Sequence, residues 1–407
     1  MNAPIKQHLI DPAVCIRCNT CEATCPVGAV THDANNYVVD PEKCNFCMDC
    51  VSPCPTGSIN HFVMVAKPFD LDEQFSWTDL PPEDAYAPPD SAPLSAVEAL
   101  DEEAAALLAE AHSGSGGKVR APASAAQPRI NLFDRKNPAK ATVTGNFCLT
   151  GADASCDIRH IILDLGATAF PILEGQSIGI IPHGTTANGR PHAMRLYSVA
   201  SPRDGERPNT NNLALTVKRV VEPRPDGSVH HGVASNYLCD LKKGDVVRVA
   251  GPFGATFLMP DDPSADIVMV CTGTGSAPFR GFTERRRRSV PSAKGRLYLF
   301  FGARSPSELP YFGPLQKVPK NLLDQELVFS RLADRPKEYV QDRMRTREPD
   351  LAELLRRDTT HVYVCGLRGM EEGVEASFLD ICRNHDLDWN AIRTRMREEG
   401  RYHVETY

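Results

Sequence analysis

No apolar run approaches the ~18 residues a membrane-spanning helix needs, so the 407-residue chain is expected to cross no bilayer. Its opening stretch, MNAPIKQHLIDPAVC, holds no apolar segment of signal-peptide length, and the cytoplasm is the expected location. Positive charge is missing where a nucleic-acid partner would need it. The formal net charge is −7, and no Lys or Arg occurs from Asp70 to Glu110. The 12 histidines form no metal motif. A setting for disulfides is also lacking, because cytosolic chains rarely keep them. The 14 cysteines therefore need another explanation.

Eight of them crowd into residues 15 to 54, as Cys15-x2-Cys18-x2-Cys21-x3-Cys25-Pro26 and Cys44-x2-Cys47-x2-Cys50-x3-Cys54-Pro55. Clustered cysteines in a reducing compartment read as ligands. Two intervening residues let neighbouring thiolates wrap one cubane from a tight loop, and the doubled run has the bacterial ferredoxin spacing for two [4Fe–4S] clusters. In that arrangement the fourth cysteine of each run serves the other cluster. Cys15, Cys18, Cys21 and Cys54 are then one ligand set; Cys44, Cys47, Cys50 and Cys25 are the other. Zinc sites, the alternative, pair two short ligand turns in one tetrahedron, and neither run has that form. A fragment this small buries little core without its clusters.

Composition divides the chain into four pieces and a multidomain α+β and α/β architecture. Residues 1–68 are the ferredoxin-like two-cluster module. Residues 69–128 are a linker that opens on PFDLDEQFSWTDLPPEDAYAPPDSAP, too rich in Pro and acid to pack well. Within it Val97, Leu100, Ala104, Leu107 and Leu108 recur at helical spacing, with Ser95 and Glu98 as a capping box and Gly114 as a stop. SGSGG and APASAAQP then read as flexible chain. Residues 129–261 alternate short β-rich runs with Gly/Pro turns, which suggests an antiparallel β-barrel. In residues 262–407 the apolar runs ADIVMVCTG, RLYLFFGAR, ELVFSRL and HVYVCG alternate with helical stretches, the pattern of parallel strands in an α/β domain.

Two motifs in the barrel segment fit a flavin. In Arg195-Leu196-Tyr197-Ser198, Arg195 can pair with a pyrophosphate as a fork and Tyr197 can stack on the isoalloxazine. After Gly232, the backbone N–H groups of Val233 and Ala234, with the Ser235 hydroxyl, can open a helix onto the phosphates. RLYS alone would be an ordinary strand. In the last segment, Thr272-Gly273-Thr274-Gly275 follows the strand DIVMV, where glycines let backbone approach a dinucleotide pyrophosphate. Pro278 stands where the usual third glycine is missing.

EGQSIGIIP, RLYSVAS, GVASNYLCDLKKGD, GPFG and CTGTGSAPFR, in this order and spacing, resemble the plant-type ferredoxin–NADP reductases over residues 129 to 407. The resemblance implies an FAD-binding barrel and an NADP-binding domain. It implies that Ser330, Arg331 and Lys337 bind the 2′-phosphate, with Tyr339 against the adenine and Gln341 in the same stretch. Arg331 alone could be a surface ion pair. It places Cys365 and Gly366 beside the nicotinamide and Tyr407 on the flavin face, and makes Ser198, Cys365, Glu405 and Tyr407 the catalytic set. Cys365 alone would be a small buried hydrophobe.

The whole chain, with DEQFSWTDLPP between module and reductase, resembles the reductase components of benzoyl-CoA 2,3-epoxidase systems. That likeness implies electron flow from NADPH through FAD and two [4Fe–4S] clusters to a separate di-iron oxygenase component, in aerobic aromatic degradation. The rivals are an NADPH–ferredoxin oxidoreductase serving another acceptor, and a non-catalytic electron-carrier subunit. Arg285 to Arg288 read as a solvated helix face rather than a docking patch for an acidic partner. Cys148, Cys156, Cys239 and Cys382, without ligand spacing, read as buried thiols.

Overall fold

A computed structural model describes residues 5–47, 49–51, 53–56, 58–59, 61–65, 67–81, 106, 120–186, 188–208, 210–224 and 227–406. The chain separates into two compact units, Met1–Glu98 and Ala99–Tyr407. Of the expected linker helix, from Ser95 through Leu108 to Gly114, only Ala106 is among the described residues, and it is helical; Tyr407 lies outside them. None of the helices described is long and apolar enough to cross a membrane.

The first unit is built from two antiparallel hairpin-like pairs. Strand β1 (Ile5–Leu9) pairs with β4 (His61–Val65), and β2 (Val30–His32) pairs with β3 (Tyr37–Val39). The cysteine runs lie between these strands. The duplication reaches beyond the cysteines: Asp11-Pro12 and Asp40-Pro41 precede the two runs at matching places. The Asp11 and Asp40 carbonyls accept the Cys15 and Cys44 N–H groups at 3.1 and 3.0 Å. The Asp11 and Asp40 carboxylates accept from Ala13 N–H and Glu42 N–H at 2.9 and 3.0 Å. The two first cysteine turns are therefore set alike.

The acidic stretch after the module does pack, contrary to its composition. Asp70 caps the short helix Leu71–Phe75 by accepting from Glu73 N–H. Gln74, 2% exposed, donates to Val39 O and accepts from Val39 N–H, as an amide replacing a strand neighbour. The Asn36 amide donates to Phe75 O and Trp77 O, and Gln7 exchanges two hydrogen bonds with the Phe69 backbone. Phe69, Trp77 and Leu80 cover Leu9, Val63 and Val65. Residues 67–81 thus form a strap on the first unit, and apolar burial with paired amides outweighs the unfavourable acid and proline content.

The second unit begins with a barrel. Its strands are β5 (Ala139–Cys148), β6 (Ile158–Asp164), β7 (Ser177–Ile181), β8 (Arg195–Ser198), β9 (Asn212–Lys218) and β12 (Val246–Phe253), in spatial order β8-β7-β12-β5-β6-β9. All of these neighbours are antiparallel. A bridge between Val199 and Leu215 brings the end of β8 onto β9 and closes the ring. The small hairpin of β10 (Val221–Pro223) and β11 (Val229–His231) leads into the helix Val233–Asp240. The barrel interior is aliphatic, with Val143, Ile161, Ile178, Leu215 and Val247 at 0% exposure.

A five-stranded parallel sheet follows, made of β13 (Asp266–Thr272), β14 (Leu297–Ala303), β15 (Leu323–Phe329), β16 (Thr360–Gly366) and β17 (Tyr402–Thr406), in order β15-β14-β13-β16-β17. Every residue of β16 and β17 is buried. This explains the continuous apolar runs, since parallel strands are covered on both faces. The order reverses between β13 and β16, the place where such sheets open a ligand crevice.

Three further expectations need correction. APASAAQP is not free chain: Pro122 is buried, Ser124 O accepts from Asp261 N–H, and Arg129 O accepts from the Gln176 amide. The Arg285–Arg288 run is not a solvated face. Arg286 is 2% exposed and donates to Pro263 O, Gly295 O and Ala265 O, while Arg288 donates to Gly205 O and Glu206 O. A guanidinium with five donors can be buried when backbone carbonyls surround it. Cys239 and Cys382 are buried, but Cys148 is exposed and Cys156 half-buried.

Candidate functional site

In the first unit the eight motif cysteines fall into two groups. Cys25, Cys44, Cys47 and Cys50 line one cavity, together with His8, Val27 and Ala29. Cys15 and Cys54 act electrostatically on Cys21, and Cys54 acts on Cys18. Among the described residues no three His, Cys, Asp or Glu side chains converge to hold a single metal ion. The thiols of the lined cavity surround a space instead of a point, which suits a cubane better than a tetrahedral zinc. Arg17 and Phe46, at matching places between the first and second cysteines of each run, both have left-handed backbone (φ 58°). Such a conformation costs about 1 kcal/mol or more for a non-glycine residue, and its repetition marks a turn imposed by the ligand loop. Burial pushes the inner thiols up, Cys21 to about 11 and Cys50 to about 12. Burial also opposes ionisation of Cys54, but the Ser58 hydroxyl and the Ile59 and Thr56 N–H groups outweigh it and bring the thiol down to about 7. Iron binding requires thiolates, so loading the inner positions releases protons.

In the second unit, β8 carries Arg195, Tyr197 and Ser198 along the rim of the barrel. Arg195 is exposed, donates to Met194 O at 2.9 Å, and has no carboxylate partner among the described residues. Burial raises the Tyr197 phenol. Ser198 lies opposite Ser177, whose hydroxyl donates to it at 3.4 Å. Gly232 begins the helix Val233–Asp240, which has no side-chain cap. A Cβ on Gly232 would lie 2.8 Å from both Ser235 Oγ and Val220 Cβ, so only glycine fits. The N–H groups of Val233, Ala234 and Ser235 lie in the uncapped first turn, where donors point at an anion. The Ser235 hydroxyl donates to Gly232 O and accepts from Val220 N–H, both at 3.1 Å. Its observed partners thus fasten the turn, rather than reaching outward as expected. These donors and the open glycine fit the pyrophosphate of FAD.

The residues expected beside the nicotinamide gather at the switch between β13 and β16. Cys365 pairs with Cys271 on one side and Glu405 on the other. A Cβ on Gly275 would meet Cys365 O at 2.1 Å, and one on Gly366 (φ +155°) would meet Thr272 Oγ1 at 2.7 Å. The two strand ends approach this closely because neither glycine has a side chain. Thr272 Oγ1 is buried without a partner among the described residues, a donor held for a ligand in the crevice. Pro278 is buried in the first turn of the helix Ser276–Ser289, where no N–H is needed. Burial, with the charge of Glu405 beside it, raises the Cys365 thiol well above its ordinary value, so it stays protonated and is no nucleophile. Burial pushes the Glu405 carboxyl up to about 8.

At the end of β15, Ser330 N–H bonds to Ala303 O and Arg331 N–H to Arg304 O. The side chains of Arg331, Lys337 and Tyr339 are exposed. Among the described residues neither Arg331 nor Lys337 has a carboxylate partner, whereas nearby Arg343 and Arg347 are locked by Glu326, Glu338 and Asp324. Arg331 and Lys337 are thus free of carboxylate partners among the described residues and available to an anion. Gln341 packs its amide against Gly373.

Residues that the sequence did not single out join the barrel to the sheet. Arg280 forks onto Glu206 at 2.5 and 2.7 Å, and His160 Nε2 lies 3.3 Å from the same carboxylate. The Tyr311 hydroxyl bonds to His160 at 3.0 Å and Thr216 at 2.7 Å, and Arg280 lies over the Tyr311 ring. The Tyr363 hydroxyl donates to Leu258 O at 2.6 Å. This network ties β6 and β9 of the barrel to the helix Ser276–Ser289, and β16 to the Leu258 carbonyl.

Fold and site define an NAD(P)H- and flavin-dependent oxidoreductase with an iron–sulfur module. Three family models match: a 4Fe-4S dicluster domain over residues 14–58, an oxidoreductase FAD-binding domain over 152–257, and an oxidoreductase NAD-binding domain over 269–376. The cyanelle ferredoxin–NADP reductase of Cyanophora paradoxa is 40% identical over 287 residues, covering 68% of this chain and 79% of that protein. A ferredoxin–NADP reductase of a Spirulina species is 36% identical over 288 residues, covering 68% and 98%. The solved ferredoxin-NADP+ reductase of Plasmodium falciparum superposes with a TM-score of 0.55 at 25% identity, covering 69% of this chain and all of that one. The chain belongs to the ferredoxin–NADP reductase family, with a 4Fe-4S dicluster domain at its N-terminal side. Its cofactors are FAD, [4Fe–4S] clusters and NADPH.

Proposed function

We propose that this protein oxidises NADPH and delivers single electrons, through its own dicluster module, to the di-iron oxygenase component of a benzoyl-CoA 2,3-epoxidase system. The observation that carries the reading is the joining of a complete two-cluster cysteine set to an NADPH- and FAD-binding reductase in one chain. The DEQFSWTDLPP stretch, through which the whole chain resembles that system's reductase, belongs to the strap on the module. When bound, the flavin takes up a hydride and the cubanes carry one electron each, which is what links a nicotinamide to a one-electron acceptor.

The chain's own residues bind, orient and hold protons. Arg195 and the first-turn N–H groups after Gly232 would hold the FAD pyrophosphate, and Tyr197 would meet the ring system. Gly273 and Gly275 let backbone approach the NADPH pyrophosphate, while Ser330, Arg331 and Lys337 select the 2′-phosphate. Cys365 bounds the nicotinamide pocket as a small neutral thiol, and Gly366 leaves room beside it. Ser198 offers a hydroxyl near the reacting edge. Glu405 keeps a proton at neutral pH and can supply one inside a closed site. By the same resemblance, Tyr407 would cover the flavin face in the place the nicotinamide takes. The two ligand sets are Cys15, Cys18, Cys21 and Cys54, and Cys44, Cys47, Cys50 and Cys25. Joining donor and carrier in one chain raises the effective concentration of one for the other.

The test is anaerobic NADPH oxidation by the cluster-loaded protein, with and without the oxygenase component, followed by O2-dependent turnover of benzoyl-CoA. NADPH-specific bleaching, and turnover that requires this chain, are expected. Bleaching without any electron transfer to the oxygenase would overturn the partner and point to an NADPH–ferredoxin oxidoreductase serving another acceptor. A chain that binds no FAD would return the reading to an electron-carrier subunit.

A further inference from the structure

The duplicated halves of the first unit put corresponding residues at the two clusters, but the residues differ in kind. Around the ligand set of Cys15, Cys18, Cys21 and Cys54, three hydroxyls face ligand sulfurs. Thr20 Oγ1 lies 3.2 Å from Cys18 Sγ, Ser58 Oγ 3.4 Å from Cys54 Sγ, and Thr56 Oγ1 3.8 Å from Cys54 Sγ. An iron-bound thiolate can only accept, so each hydroxyl is the donor. At the matching places of the other set stand Asp49 for Thr20, Ala29 for Ser58 and Val27 for Thr56, with Val27 and Ala29 lining that cavity. None of the three can donate through its side chain. The second set has one polar ring, His8. Its Nε2 faces Ile59 O at 2.5 Å, a carbonyl that takes the ring hydrogen, and its Nδ1 stays 4.0 Å from Cys44 Sγ.

A cluster gains one negative charge when reduced. Hydrogen bonds to its sulfurs and a nearby cation favour that form, while an apolar wall and a nearby carboxylate disfavour it. The exchange of the Thr20, Thr56 and Ser58 hydroxyls for Asp49, Val27 and Ala29 acts in this one direction at all three places. We propose that the cluster of Cys15, Cys18, Cys21 and Cys54 has the higher reduction potential of the two, and that an electron entering the module comes to rest there. The inference rests on the assignment of the two ligand sets. Thr20, Thr56 and Ser58 act as positioning residues through the cysteines they face.

The test is a potentiometric titration followed by electron paramagnetic resonance, on the full-length, iron-loaded, FAD-bound protein. Two separated one-electron steps are expected. The variant Thr20→Val, Thr56→Val, Ser58→Ala should lower the upper step by at least tenfold in reduced-to-oxidised ratio, about 59 mV, and leave the lower step in place. Ala29→Ser, which gives the second set the missing hydroxyl, should raise the lower step and narrow the gap. Coincident steps in the unaltered protein, or a triple variant that moves only the lower step or neither, would overturn the proposal. Should the triple variant lose iron, Ala29→Ser decides: an unchanged lower step counts against the ordering. Full iron and flavin content beside such a result shows that the ordering has failed and not the cofactor reading.

Discussion

The two units are held together by different means. In the first, the ligand cysteines belong to the core: Cys21 and Cys50 are buried with Ile10, Val30, Val39 and Ile59, while Cys15, Cys25, Cys44 and Cys54 pack against them. In the second, large aliphatic and aromatic clusters fill the barrel and both faces of the parallel sheet. The module's fold and its redox chemistry thus depend on the same atoms, whereas the reductase scaffold has a core independent of its cofactors. The contrast shows where each unit should fail, and the failures can be ordered by size.

Iron removal should have the largest effect. Chelation, or Cys50→Ser, is expected to abolish the cooperative transition of residues 1–81 and to leave the reductase transition unchanged. Scanning calorimetry of loaded and stripped protein reads both. Loss of both transitions together would break the comparison. Next is Glu206→Ala, which strands the Arg280 guanidinium and His160 at the joint between barrel and sheet. Breaking a buried pair from one side typically costs about 3–5 kcal/mol, and the cost should fall on the reductase transition alone.

Two carboxylates of the second unit sharpen the comparison through pH. Burial opposes ionisation of Glu206, but His160 and Arg280 outweigh it and hold the group down at about 2. Its stabilising contribution is complete above the ordinary value of 4.5 and is lost as pH falls through 2. Burial pushes Glu405 up to about 8. Its contribution is complete below 4.5 and drains away as pH rises through 8. Glu405→Gln should therefore flatten the reductase's stability curve between pH 4.5 and about 8. Denaturant midpoints that fall equally steeply in both proteins would contradict this.

Smaller effects test the strap and the adenosine site. Gln74→Ala leaves the Val39 N–H and carbonyl without their amide partner, at a cost of about 1–3 kcal/mol, and only the module transition should move. A chain ending at residue 68 should be less stable than one ending at 81 for the same reason. Arg331→Ala with Lys337→Ala should lower kcat/KM for NADPH about 10–100-fold, or about 1.4–2.8 kcal/mol, mainly through KM. The NADH value should change little, and cluster content not at all. An equal loss for both nucleotides would remove these residues from 2′-phosphate selection.

Much of the site could be read from local spacing. The cysteine runs, RLYS, the glycines at 273 and 275 and the parallel strands are short patterns whose geometry depends on near neighbours. The misreadings share a cause. Residues 69–80 and 121–128 have the composition of free chain, but their partners, such as Asn36, Val39, Gln176 and Asp261, lie far away in sequence. Arg286 resembles its exposed neighbours until carbonyls from two loops close around it. The Ser235 hydroxyl looked outward by motif, yet the nearest acceptor and donor turned it inward. Glu206, His160, Arg280 and Tyr311 carried no signal because their meaning arises only where barrel and sheet touch.

The sequence by itself determined the cofactor classes and the order of the domains, because ligand spacing and phosphate-binding turns are properties of short segments. Only the tertiary structure decided how the strap packs, which arginines close onto carboxylates or buried carbonyls, and which have no carboxylate partner among the described residues. It also showed that the two cluster surroundings differ. Each of these depends on groups brought together from distant parts of the chain, where burial and hydrogen bonding override what composition alone suggests.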